Sequence, residues 1–177
     1  MPWGTFIYRG VERDLAHLDA FTFIVKATAE GARAYKVLVS FSHHVFTRDI
    51  MDGDRAADAF GPPHDLRCFC DDRHQRSKAL PAIIAAAATG KAYFPGPGHP
   101  QQRNFLLIDI GDGDPPYLVV FNLEKATAMG VDVRMFVVSA HPRPGLPARS
   151  RMNSIRFATL ISKVARGEKI VRPPAKK

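Results

Sequence analysis

Two groups of β-prone runs, each folded back by a short polar connection, do most to narrow what this chain can become. Phe21 to Thr28 and Tyr35 to Phe41 are rich in β-branched and aromatic residues, with Gly31 between them, and this predicts a β-hairpin. In its second strand Tyr35, Val37, Val39 and Phe41 alternate onto one face, which His43 would continue while His44 takes the other. Phe105 to Ile110, Tyr117 to Leu123 and Val131 to Ala140 make three further strands, the first two joined by a Gly/Asp/Pro-rich turn at 111–116. The aspartates of that turn lack the downstream glutamate of a calcium loop, so a β-turn accounts for them. His141 to Pro147 ends the series, because its three prolines cannot donate to a ladder.

Helical periodicity is scarcer. Val11, Leu15 and Leu18 match one short helix, with His17 as a surface or packing residue. Ser77 is placed to cap a second, running through Leu80, Ile83 and Ile84 to Thr89 and stopped by Gly90. A third spans Asn153 to Arg166, with Ile155, Leu160, Ile161 and Val164 as its apolar stripe and Gly167 as its stop. Residues 45–66 show no period and read as a long surface loop, either a lid over His43 or an insertion without structure of its own. Tyr93 to Pro100 reads as a turn-rich connection. Together these elements predict one α+β domain over 1–167, with a mainly antiparallel sheet of about five strands, two or three flanking helices and a basic tail at 168–177. The two-faced apolarity of the later strands implies a sheet covered on both sides or by a partner chain, hence a homo-oligomer or another protein partner.

Charge is distributed unevenly. From His141 onward there are ten Lys or Arg against the single acid Glu168, so this stretch carries +9 and residues 1–140 carry −1 of the net +8. A basic footprint of this kind suits a polyanion, RNA or DNA. The longest apolar run, Leu80 to Ala88, is broken by Pro81 and too short to span a membrane. With no basic leader before an apolar stretch at the N-terminus, a cytoplasmic protein is expected, and Cys68 and Cys70 are read as thiols of a reducing compartment.

Chemistry concentrates in His64 to Arg76, thirteen residues that hold both cysteines, two histidines, three arginines and three aspartates. One reading gives Cys68, Cys70 and His74 to zinc, although Cys-x-Cys is not the spacing of structural zinc sites. The other needs no cofactor. Metal-independent RNA cleavage requires a base for the 2′-hydroxyl, an acid for the leaving oxygen and cations for the phosphorane. His43 or His44 is the candidate base, His74 or His141 the acid, and Arg67, Arg73, Arg76, Ser139 and Arg143 the phosphate-binding set.

The strand Val133 to His141 with the basic helix after it resembles the layout of small bacterial toxin ribonucleases of the RelE and colicin type. The pattern around Phe41 to Thr47, Arg67 to Ser77 and Ser139-Ala140-His141 is similar to small proteins carried by bacteria and prophages. These resemblances imply an RNA-cutting toxin with an antitoxin as protein partner. The alternative is a non-enzymatic phage or defence factor whose Cys/His cluster holds zinc or simply packs.

Overall fold

In the computed structural model the described residues are 2–27, 33–95, 105–109, 115–127, 129–145 and 151–173. The hairpin expected first is present as β3 (Phe21–Lys26) and β4 (Ala34–Phe41), antiparallel with Phe21 opposite Val39 and Val25 opposite Tyr35. Tyr35, Val37, Val39 and Phe41 do share the buried face. The later strands are β9 (Phe105–Asp109), β10 (Tyr117–Lys125) and β11 (Val133–Pro142), joined as an antiparallel meander with a bulge at Val120/Phe121. Of the 111–116 turn, residues 111–114 lie outside the described residues.

The two groups meet where β11 pairs with β4, and the pairing is parallel, with Val133 beside Val37 and Val137 beside Phe41. Two short strands, β8 (Lys91–Tyr93) and β12 (Ser154–Arg156), extend the far edge. The main sheet therefore has seven strands in the order β12-β8-β9-β10-β11-β4-β3, larger than the five expected and partly parallel. Three-residue strands carry too little alternation to show in a sequence, so β8 and β12 have no signal there; of the connection expected at 93–100, residues 96–100 lie outside the described residues.

One face of the sheet holds the core. Val25, Val37, Val39, Phe121, Val133, Met135 and Val137 are inaccessible to solvent, and α3 (Phe157–Arg166) closes over them with Phe157, Leu160 and Ile161. Gly167 ends that helix in the left-handed region at φ 75°, the conformation a helix terminator requires. The start of the basic tail packs back onto the domain: Ile170 lies against the core, and the Arg172 guanidinium sits 5.7 Å from the centre of the Phe94 ring.

The helix expected at Val11 to Leu18 is instead β2 (Val11–Asp14) followed by a 3₁₀ turn (Ala16–Leu18). Arg9 and Gly10 both have positive φ, 51° and 79°, the two-residue turn geometry that pairs β1 (Thr5–Tyr8) with β2. Leu15 and Leu18 are still fully buried.

Residues 45–66 are ordered by polar contacts, which hydrophobic periodicity cannot register. Short strands β5 (Thr47–Arg48) and β6 (Ala59–Phe60) flank β7 (Arg67–Phe69) in a second sheet of three. Between them Arg48 grips both oxygens of Asp54 at 2.6 Å, and Arg55 does the same to Asp58 at 2.8 and 3.1 Å. The helical segment after β7 is split into α1 (Asp71–Ser77) and α2 (Leu80–Ala86). Ser77 closes α1 rather than capping the next helix, its buried hydroxyl donating to the His74 carbonyl at 2.8 Å.

The Arg48 hydrogen bonds, with one from the Met51 N–H, hold the Asp54 carboxyl well below the usual carboxylate range. A depressed folded-state pKa contributes stability that is present above the unfolded value of about 4 and lost as pH falls through the folded value. Asp54→Asn is expected to lower the melting temperature at neutral pH and to flatten the loss of stability on acidification. Thermal melts across the acid range check this; a variant as acid-sensitive as the parent would contradict it.

Candidate functional site

The site begins where β4 runs out. Ser42 donates its N–H to Val137 of β11 at 2.9 Å, and its hydroxyl accepts from the His44 N–H at 3.2 Å, which turns the chain into a single 3₁₀ turn at His43–Val45. Adjacent residues that a strand would send to opposite faces are thereby swung toward a common partner, Asp65. His44 Nε2 donates to Asp65 Oδ2 at 2.8 Å. His43 Nε2 donates to the Asp65 main-chain carbonyl at 3.0 Å and lies 3.5 Å from the same Oδ2. The rings stand edge to face, their centroids 4.7 Å apart.

Asp65 is presented by a second 3₁₀ turn, Pro63–Asp65, which two prolines stiffen at its entry. Just before it Gly61 takes φ 114°, and a Cβ there would lie 2.6 Å from the Asp65 carbonyl and 2.7 Å from His43 Nε2. Only glycine lets the chain pass so close to the imidazole. The side chains are graded in exposure, His43 at 12%, His44 at 27% and Asp65 at 40%. Burial holds the His43 imidazole below its ordinary pKa, partly offset by its bond to the Asp65 backbone. The hydrogen bond from His44 keeps the Asp65 carboxyl below its usual range, with the His44, His43 and Arg67 charges acting the same way.

Two arginines tie this corner to its surroundings. Arg73, on α1, donates through one Nη1 to the carbonyls of His44 at 3.2 Å and Thr47 at 2.8 Å. Arg67, on β7, donates to Thr47 Oγ1 at 3.1 Å and Asp49 Oδ1 at 2.7 Å. Beyond Arg73, His141 stands on β11 opposite Leu118; burial first, then the Arg73 and Arg143 cations, lower its pKa. Neighbouring Tyr117 is pushed up to about 12 by burial, against the charges of Arg73 and Arg76. Its hydroxyl is buried and has no partner among the described residues.

His43, His44, Arg67 and Arg73 thus gather around Asp65 and Thr47, and His141 lies within electrostatic reach of Arg73. Other candidates do not. His74 is 2% exposed, donates to the Asp14 carbonyl at 2.9 Å and packs its ring on Phe69, so it braces α1 against β2. Arg76 pairs with Asp72 one helical turn earlier on the exposed face of α1. Ser139 faces Val120 within the sheet, and Arg143 is exposed past the strand end, its N–H bonded to Pro116.

The proposed zinc set is not assembled. Cys68 is buried with its thiol pushed up by that burial, Cys70 donates its N–H to Phe46 just ahead of α1, and both are free thiols. With His74 committed to Asp14, the three donors do not converge. Among the described residues, the one trio of His, Cys, Asp or Glu donors close enough to share an ion is His43, His44 and Asp65, all within 4.8 Å of one another. Asp65 was overlooked because it was counted as charge in a dense stretch; the Gly-Pro-Pro turn that aims it was the available signal.

No helix among the described residues is long and apolar enough to cross a membrane. No curated protein and no solved structure matches the chain. A family model does match, over residues 5–165, and it carries no tie to ribonucleases of the RelE or colicin type. Because that match runs from β1 through α3 and takes in every residue of the site, the chain belongs to the YjaZ family.

Proposed function

We propose that the protein binds nucleic acid, RNA in particular, where the His43–Val45 turn, α1 and β11 meet, and cleaves it by acid–base chemistry without a metal. The observation that carries this reading is the His44–Asp65 hydrogen bond on one side of Arg73 and His141 on the other. An ionised carboxylate on Nε2–H fixes the His44 tautomer and leaves Nδ1 to accept a proton, the arrangement of an oriented general base. On this reading His44 takes the 2′-hydroxyl proton and the 2′-oxygen attacks phosphorus. The 5′-oxygen then leaves with a proton from His141, giving a 2′,3′-cyclic phosphate. Arg73 and Arg67 face the phosphorane charge.

The basic C-terminal third supplies the approach. Lys163 and Arg166 are paired with Glu168, but Arg143, Arg151, Arg156 and Lys169 are exposed. Because the His141 pKa is lowered, its proton-donating form fills only below neutrality, so cleavage should quicken as the pH falls through that range.

Removing the base or the phosphate ligand should slow cleavage by about 10²- to 10⁴-fold, measured on RNA oligonucleotides with His44→Ala and Arg73→Ala. Unaltered cutting by both variants would sink the assignment. RNA affinity should also fall steeply with salt.

A non-enzymatic interaction role is the second reading, favoured by the outer face of the main sheet, where Ile24 is 53% and Phe136 43% exposed. RNA binding without cleavage, together with capture of a defined protein partner such as an antitoxin, would select it.

A further inference from the structure

His43 Nε2, His44 Nε2 and Asp65 Oδ2 are more closely focused than two hydrogen bonds require. His44 needs only the carboxylate and His43 only the main-chain carbonyl, yet His43 Nε2 also lies 3.5 Å from the oxygen that His44 holds at 2.8 Å. Ligands bonded at about 2.0–2.1 Å around a tetrahedral ion stand roughly 3.3 Å from one another. The two separations to the carboxylate, 2.8 and 3.5 Å, bracket that value, and all three donors lie within 4.8 Å of one another, so an ion would draw them together without moving the backbone turns that carry them. Two prolines and Gly61 hold the Asp65 turn in place, and the fit does not depend on a long flexible side chain.

We propose that His43, His44 and Asp65 form a binding site for a borderline divalent transition ion of the zinc type, and that its occupancy switches off RNA cleavage. Two imidazoles with one carboxylate select such an ion over magnesium or calcium, which take oxygen donors. Water takes the fourth position of the tetrahedron. Each imidazole shifts its Nε2 proton to Nδ1, so that the Nε2 lone pair goes to the ion and the ring stays neutral. Asp65 then ligates the ion instead of orienting His44, and His44 has no lone pair left to accept the 2′-hydroxyl proton. The binding half of the proposal stands on geometry alone; the inhibitory half rests on the ribonuclease reading above.

The metal-stripped full-length chain is titrated with cobalt(II), whose visible d–d bands report low-symmetry coordination, and with zinc by calorimetry. One equivalent is expected. His44→Ala and Asp65→Ala, each checked for an unchanged circular dichroism spectrum, should bind at least about 100-fold more weakly, since even outer-sphere changes cost 10- to 100-fold. His141→Ala, which leaves all three donors in place, should bind like the parent. Absence of a cobalt spectrum, or equal affinity in parent and both ligand variants, overturns the site. RNA cleavage by the stripped chain is followed in the same titration. Loss of cutting at one equivalent of zinc supports the switch, while cutting unchanged or stimulated at saturation overturns it. A chain that binds cobalt through these residues but never cuts RNA keeps the metal site and removes the ribonuclease reading.

Discussion

Phe69→Ala is expected to cost about 3–5 kcal/mol of stability, the range for truncating a fully buried aromatic side chain. Phe69 ends β7 with no exposed surface, and its ring meets four others: Tyr8 at 4.8 Å, Phe6 and His74 at 5.4 Å, and Phe46 at 5.9 Å between centroids. Those rings come from β1, from the start of α1 and from the residue after the His43–Val45 turn. The cavity would therefore open where three elements meet, and none of them can collapse into it without dragging the others. Phe69→Leu, which keeps most of the volume, should cost less than half as much. Denaturant unfolding at equilibrium checks both, and equal midpoints for Phe69→Ala and the parent would show that this cluster does not support the fold.

Gly61→Ala should have the largest effect on the site for the least effect on the fold. The added methyl would meet the Asp65 carbonyl at 2.6 Å, a backbone atom that cannot swing aside, and His43 Nε2 at 2.7 Å, at a φ of 114° that an L-residue rarely adopts. Strain of about 1–3 kcal/mol would be relieved by moving the Pro63–Asp65 turn, which separates Asp65 from both histidines. Gly53→Ala is the control, since Gly53 also has a positive φ, 88°, but nothing within 4 Å of its would-be Cβ. The two variants should lose similar stability in thermal melts, while only Gly61→Ala loses cobalt binding and cleavage. Equal behaviour in both assays would mean that the close passage at Gly61 is incidental.

What could be read from the residues alone was what depends on local pattern. The alternation of Tyr35, Val37, Val39 and Phe41, the meander from Phe105 to Ala140, and the α3 stripe ending at Gly167 all reappear in the structure, as does the α+β class. The parallel pairing of β4 with β11 had no local signal, because it joins residues far apart in sequence and leaves no turn to betray it. The N-terminal hairpin was missed because Arg9-Gly10 is not among the usual signatures of its turn, and Val11, Leu15 and Leu18 happen to be spaced like a helix.

The candidate site was legible in residue type more than in position. His43, His44, Arg67, Arg73 and His141 are named for their chemistry; the first four share contacts at Asp65 and Thr47, and His141 meets them only through the charge of Arg73. His74, Cys68 and Cys70 have equal claim by type, but His74 bonds to Asp14 of β2 and Cys68 is buried, so the three do not share a ligand. Asp65, the residue to which both histidines bond, is marked in the sequence only by its turn, two prolines and a glycine in a stretch without periodicity.

The pairing of Val37 with Val133 also has a bearing on how the molecule comes into being. During synthesis the β3–β4 hairpin and the two histidines after it emerge well before the strand that completes their side of the sheet, and contacts so distant in sequence are the slowest to close. Until β11 has emerged, the growing polypeptide lacks the strand beside which His43 and His44 turn.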